Sequence, residues 1–528
     1  MVVIIDDVGN AWMGGCDKGI FLKMTVVIVR LTLSVSLFVM AVNVFAGEWD
    51  SSRSLSLSGI YSSNVGLASE NESDDLITRV RPDVNINGSG RRLNFSFSYA
   101  PEILAYKNSP SRNELFHKLY TGANVEIVPE TFFFDGNASI RQSIIDTKSP
   151  IRFDNMSLGN QTEVMMLNVG PSVSHDFNGY LRGHLSYKLG FVKYTDTESL
   201  PDSESDTTVL TFGSGRYFRR LTWEGSYTDS VIKRDADALR TSAKVSVRYK
   251  LTRSLAALIK GGYENNQFKS ETSLINGSYS SAGFSWNPSK HISLDATKGD
   301  LSEDANLVWT PYLRTMLRFG YTNRDVGVNT GSVWSGRISH RAKRSTWQAS
   351  YQEDVTNFQF LEIVGQQTFA QIDAQGDLVI DPVSGFPAIV TTNIFGLRDE
   401  EFLRKRSNIS YTLSTGKTDL SFSPYKESRK YQLSGETEDV LGATVSWGWR
   451  FASKTRSLSS ISWQDRGFSS TNRKDSTKRA SVQLIKNINR WLQVSAEYRY
   501  VERISTTQGN EYRDHQFIAS LTKQFQRN

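Results

Sequence analysis

The chain has 528 residues, with 61 Lys and Arg against 55 Asp and Glu, and a sequence pI near 9.0. At 38% hydrophobic content and a mean hydropathy of −0.38, nothing in the average announces a membrane protein. Its basic residues are spread at strand spacing rather than gathered into a patch, which argues against a nucleic-acid surface.

The first signal along the chain is a leader. Residues 24–49 read MTVVIVRLTLSVSLFVMAVNVFAGEW. Arg30 supplies a short basic region, LTLSVSLFVMAVNV an apolar run, and Val44-Phe45-Ala46 a cleavage site before Gly47. This is a secretory signal peptide over 24–46, and the run is short for a transmembrane anchor. Residues 1–23 read as a gene-model extension ahead of a start at Met24. Cys16, the only cysteine, falls in that extension, so 47–528 is expected to carry no disulfide, thiol nucleophile or cysteine–metal site.

Period-two segments then follow almost end to end. Leu93, Phe95, Phe97 and Tyr99 alternate with Asn94, Ser96 and Ser98. Leu181, Gly183, Leu185, Tyr187 and Leu189 alternate with Arg182, His184, Ser186 and Lys188. Ala243, Val245, Val247 and Tyr249 alternate with Lys244, Ser246, Arg248 and Lys250. In LGATVSWGWRF (441–451), Leu441, Ala443, Val445, Trp447, Trp449 and Phe451 share one face. Leu492, Val494, Ala496, Tyr498 and Tyr500 alternate with Gln493, Ser495, Glu497 and Arg499. Strict alternation predicts strands with one apolar and one polar face.

Connections alternate as well. Short turns are expected at 88–91, 176–179, 287–290, 342–345, 414–417 and 487–490, and longer polar loops at 62–75, 146–161 and 195–206. The fold class is therefore all-β: a large antiparallel transmembrane β-barrel of about 24 strands (plus or minus two), with short periplasmic turns, long extracellular loops and both termini in the periplasm. A soluble sandwich or propeller would also alternate, but its buried face would be rich in Val, Ile and Leu. Here many apolar rows end in Trp, Tyr or Phe, as membrane girdles do. In that count 441–451 is a descending strand near number 20, ending at a turn around Ser453-Lys454. Its apolar row faces lipid, and Gly442, Thr444, Ser446 and Gly448 are backed by water. Residues 355–404 break the rhythm. They are longer and more apolar than other loops, and read either as a plug folded into the pore or as an extracellular cap. The domain organisation expected is thus 1–23 extension, 24–46 signal peptide and 47–528 barrel.

Residues 63–103, with 284–296 (FSWNPSKHISLDA) and 339–357 (SHRAKRSTWQASYQEDVTN), resemble the outer-membrane β-barrel proteins associated with PEP-CTERM/exosortase systems. The resemblance extends over essentially the whole of 47–528. It implies a predicted barrel of a Gram-negative cell outer membrane, linked to exopolysaccharide export, and it supplies no functional residues.

Catalysis finds little support. His184-Leu185-Ser186 has the spacing of a barrel phospholipase, but the pair would face the lumen rather than lipid, so a structural or pore-lining role is preferred. Asp202, Glu204 and Asp206 form an acidic loop that lacks a calcium-loop pattern and reads as a solvated tip. No catalytic, cofactor or metal residues are assigned. Assigning the polar face to the lumen makes Arg79, Arg81, Lys118, Arg141, Arg182, Lys188, Lys244, Arg248, Lys250, Arg337, Arg450 and Arg499 pore-lining, with Lys260, Arg318 and Arg341 beside them. Acidic lumen residues are Asp83, Glu126, Asp135, Glu224, Glu264, Asp295, Asp419 and Glu497. Either the basic excess draws anions, or the charges pair across strands and stiffen the wall. The function expected is a porin-like channel for exopolysaccharide or anionic solutes. The alternatives are a non-conducting structural or assembly barrel and, third, a barrel hydrolase. Its partners would be outer-membrane lipid, lipopolysaccharide and polysaccharide-export machinery, with no nucleic acid.

Overall fold

A computed structural model describes residues 47–525, apart from 152–158, 196–200, 235–236, 268–275, 328–329 and 357–399. The expected leader and most of the 355–404 segment lie outside the described residues. The two ends of that segment are strand: Ser345–Thr356 runs into it and Phe402–Ser414 leaves it.

The described chain forms 26 strand segments in one sheet and a single 3₁₀ turn, Pro110–Arg112. Two strands of the wall are broken. Leu93–Tyr99 and Glu102–Tyr106 both pair with Asp75–Gly90, on either side of Ala100-Pro101. Proline has no N–H to give to the ladder, so pairing lapses there. The next strand copies the break, as Glu114–Phe116 and Leu119–Val128. Counting each broken strand once leaves 24, every neighbouring pair antiparallel, as the alternation predicts. The sheet closes on itself where Arg53–Ser62 pairs with Phe525–Gln516. Closure pairs the first strand with the last, so no strand stands as a free edge of the sheet, the condition for a sheet to cross a bilayer.

Every expected short turn joins a hairpin at the end of the barrel that also holds Gly47 and Phe525. The opposite end carries the longer connections. One boundary differs from expectation: Ser203–Ser214 is strand, so Glu204 and Asp206 leave the expected 195–206 loop and sit on the wall. Asp206 lies on its outer face, where it accepts hydrogen bonds from the Tyr187 hydroxyl (2.8 Å) and Lys233 Nζ (3.1 Å). The acidic tip is thus part of an exposed cross-strand network.

Alternation sorts the wall into two faces. Thr437–Ala452 is the twentieth strand, and it ends in a hairpin at Ser453-Lys454. Its outward row holds Val445, Trp447, Trp449 and Phe451, all exposed. The Trp447 and Trp449 rings stack at 5.8 Å and an interplanar angle of 10°, and Phe451 follows at 5.3 Å. Trp463 and Ile461 stand opposite Ala443 and Val445 on the same outer face. Amphipathic aromatic rings near the turn end suit a membrane–water interface. One inward position departs from expectation: Gly442 is not backed by water alone. A Cβ there would lie 2.7 Å from the Tyr425 ring, so glycine makes room for that side chain in the lumen.

The two faces predict opposite responses to charge. Val445→Arg should cost about 2–4 kcal/mol because its side chain meets lipid near mid-strand. Its inward neighbour, as Ser446→Arg, should cost well under half of that. Urea titration of folding into phosphatidylcholine vesicles measures both; equal costs would refute the face assignment.

Among the described residues no apolar core fills the barrel from end to end. Its apolar clusters stand at the loop end, where Ile60, Val65, Ile77, Leu104, Tyr106, Phe116 and Ile518 form one and Val164, Val192 and Tyr194 another, while Ala256, Leu258 and Ile485 are buried near the turn end. Val65 comes from the 62–75 loop, expected to be simply polar. The loop turns inward because Asn64 and Ser62 are fixed to Asp514 across the seam, and Arg112 donates to the Val65 carbonyl at 2.9 Å.

Candidate functional site

The lumen is the site, and two features give it character: a crossing at the loop end and an uneven charge lining. The crossing is built by residues 145–151, which leave Phe132–Ile144 on the fifth strand of the wall. They reach a group of residues between Glu436 and Tyr512, on the twentieth to twenty-fourth strands and the loops that lead into them. Arg473 Nη2 donates to the Lys148 carbonyl at 2.5 Å. Arg503 donates to the carbonyls of Ser149 (2.7 Å), Thr147 (3.2 Å) and Lys148 (3.3 Å). The Tyr512 hydroxyl donates to the Ile151 carbonyl at 3.0 Å. Lys148 Nζ meets the Glu436 carboxylate at 3.0 Å and stands 5.2 Å above the Phe468 ring.

One carboxylate organises the receiving wall. Asp475 accepts from Arg473 Nε at 3.0 Å, from Arg503 and from the Ser505 hydroxyl. All three charged groups are buried, at 4%, 7% and 3% exposure for Asp475, Arg473 and Arg503. Two guanidiniums share one carboxylate, and their spare donors go to the carbonyls of the incoming loop. Planar, multi-donor guanidinium suits this task; lysine could not make the same set. A second crossing joins the loop after Leu221–Lys233 to the entry of Phe402–Ser414, through Arg234 and Glu401 at 2.7 Å with both side chains nearly sealed from solvent. Glu400 beside it takes two hydrogen bonds from Ser434, each 3.0 Å.

Strand parity puts the side chains of eleven of the twelve candidate lumen cations on the inner side of the wall, and Lys118, in the break before Leu119–Val128, turns to the buried Glu102. Their partners divide them. Glu102 meets Lys118 at 3.1 Å and Arg81 at 3.7 Å. Lys244 reaches Glu264 (3.5 Å), Arg248 reaches Asp295 (2.9 Å), Arg450 reaches Asp419 (3.7 Å) and Arg499 pairs with Glu497. Lys260 joins Asp304 at 3.9 Å, beside Arg324. Arg182 donates to the Ser214 carbonyl at 3.4 Å. Arg79 and Arg141 also have partners.

A different group makes no ion pair among the described residues: Lys188, Lys250, Arg318, Arg337 and Arg341. Arg318 and Arg337 stand directly opposite each other on neighbouring strands, both exposed to the lumen. Like charges so placed repel. Their inward neighbours are uncharged: Val308 opposite Arg318, Ser350 opposite Arg337, and Met316, Gly320, Ser335 and Ser339 along the two strands. The flanking carboxylates are engaged elsewhere, Asp304 by Arg324 and Asp354 by Arg404 at 3.0 Å.

His184 and Ser186 face the lumen, and the His184 ring is 2.7 Å from the Ser174 hydroxyl on the adjacent strand, not Ser186. Among the described residues no group of three or more His, Asp or Glu is arranged to hold a metal ion. Sequence reasoning missed the crossing altogether. Its parts are spread over 361 positions, and only the inward parity of Arg473, Asp475 and Arg503 hinted at it.

A family described as "Putative beta-barrel porin 2" matches residues 439–525, the last strands of the barrel. The chain is similar to the siderophore receptor PirA of Acinetobacter baumannii at 8% identity, with TM-score 0.45, over 91% of this chain and 81% of that one. It is similar to the FrpB iron transporter of Neisseria meningitidis at 9% identity, with TM-score 0.45, over 90% and 82%. Against OccK3 of Pseudomonas aeruginosa the identity is 11%, with TM-score 0.30, over 90% and 96%. No curated protein matches.

Proposed function

We propose that the chain is a porin-like channel of the Gram-negative outer membrane whose lumen favours anions, acidic polysaccharide among them. The observation that carries this reading is the Arg318–Arg337 pair. A wall that only needed rigidity would oppose each arginine to a carboxylate, as it does at Arg81, Arg248 and Arg450. Two exposed guanidiniums held opposite each other, with no charged inward neighbour, instead offer paired donors to a passing carboxylate or sulfate. Lys188, Lys250 and Arg341 extend the same unneutralised lining. The link to exopolysaccharide export rests on the family resemblance of the sequence.

The competing reading, a structural barrel that conducts little, draws on the two loop crossings. Planar-bilayer recording of the purified chain separates the two. The channel reading expects discrete conductance steps and, in a salt gradient, a reversal potential of the sign that marks anion preference. Absent steps would favour the structural barrel, and cation preference would overturn the anionic lining.

A further inference from the structure

The two ends of the barrel carry opposite charge. The eleven short turns hold 13 basic residues and one acidic residue between their strands. The described residues of the opposite loops hold four basic and 12 acidic residues. All 13 turn cations are exposed, and none forms an ion pair among the described residues. They occupy nine of the eleven turns; the exceptions are two adjacent hairpins, at 128–132 and 177–181. Arg219, Arg220, Arg314, Lys343, Arg344 and Arg490 are representative.

Apolar and aromatic side chains project beside them. Leu313 is fully exposed, Tyr312 is 74% exposed and Tyr217 is 56% exposed. The Arg490 guanidinium lies 4.5 Å from the centre of the Trp491 ring, and that of Arg216 lies 5.4 Å from Tyr217. Immediately above the turns, on the outer face, stands the girdle that includes Trp447, Trp449 and Phe451. Cations that follow an aromatic belt outward into water are where long basic side chains meet headgroup phosphates.

We infer that this rim binds the anionic phospholipid headgroups of the leaflet in which the turns sit. The distribution chooses the occupant. A protein partner or a threading polymer would call for one basic patch or a basic mouth interior. These cations instead go most of the way round the barrel and accompany the lipid-facing girdle, as a lipid annulus does. Each cation held near an anionic surface adds attraction that salt screens.

The test uses the full chain folded into phosphatidylcholine vesicles containing about one-fifth phosphatidylglycerol, a composition that supplies the attraction described for anionic surfaces. Lipid retained after detergent extraction is then read by native mass spectrometry. The comparison variant is Arg219→Gln/Arg220→Gln/Arg314→Gln/Lys343→Gln/Arg344→Gln. The original chain should retain phosphatidylglycerol about fivefold or more over its share in the vesicle, with the preference lost near 1 M salt. The variant, which removes five of the 13 rim cations, should lose a third or more of that preference while folding equally well into phosphatidylcholine. If it does not fold, Arg219→Lys/Arg220→Lys/Arg314→Lys/Lys343→Arg/Arg344→Lys keeps the charge and must keep the preference. Equal retention of both lipids by the original chain, or an undiminished preference in the glutamine variant, would overturn the inference. So would displacement of the lipid by polygalacturonate, which would give the rim to a soluble polyanion.

Discussion

Replacing Arg473 and Arg503 together by glutamine raises single-channel conductance about twofold or more, since pore cross-section and lining charge govern conduction. The expectation follows from how residues 145–151 are held. Arg503 and Arg473 supply four of the hydrogen bonds that fix the loop backbone, and Asp475 orients both. Without the guanidiniums the loop keeps Lys148–Glu436, the Lys148–Phe468 contact and the Tyr512 hydroxyl on the receiving wall, and its own bonds to Asn160. It should then leave the lumen for part of the time, so larger steps should come with more frequent transitions. Asp475→Asn makes a sharper control. It leaves two buried arginines without their shared carboxylate, and breaking such a group from one side costs about 3–5 kcal/mol. It should therefore lower stability more than the double glutamine variant does, and thermal unfolding followed by heat-modifiable gel migration measures this. Unchanged conductance in the double variant would show that the crossing does not limit flow.

The second large effect concerns selectivity. Arg318→Glu/Arg337→Glu should reverse the sign of the reversal potential in a tenfold salt gradient. The change puts two carboxylates where two guanidiniums stood, a swing of four charges at one level of the lumen. No salt bridge is broken by it, because neither arginine has one among the described residues. The matched control is Arg248→Gln, whose loss strands Asp295 at 2.9 Å and removes a charge already neutralised. It should shift stability more than selectivity. An unaltered reversal potential in the double glutamate variant would remove the pair from the conduction path.

The wall was legible in the sequence because its rules are local. Period-two alternation gives the faces, and turns such as Asp176–Gly179 and Asn487–Arg490 give the hairpins. Together they put Thr437–Ala452 at the right place in the count. The breaks at Ala100-Pro101 and near His117 were invisible in a strand count, since each half still alternates. The lumen was much less legible. Arg473, Asp475 and Arg503 show in sequence only as inward positions of two neighbouring strands. Their meaning depends on a loop more than 320 residues earlier. The same holds for Arg248 and Asp295, which meet across two intervening strands. The sequence offered both neutralised and free cations as readings, and the wall contains some of each.

The seam between the first and last strands has a consequence for time rather than for shape. Ser58 meets Ser520 at 2.8 Å across 462 positions, and Ser62 meets Asp514 at 2.8 Å across 452. No hairpin can anticipate these contacts. Contacts at such separation are the costliest in chain entropy to form, so registration of the ring should be its last event. The reverse journey meets the same obstacle: a ring has no end from which to fray, and the first rupture must break a full row of bonds at once. A folded ring of this kind should be long-lived even where its equilibrium advantage is modest.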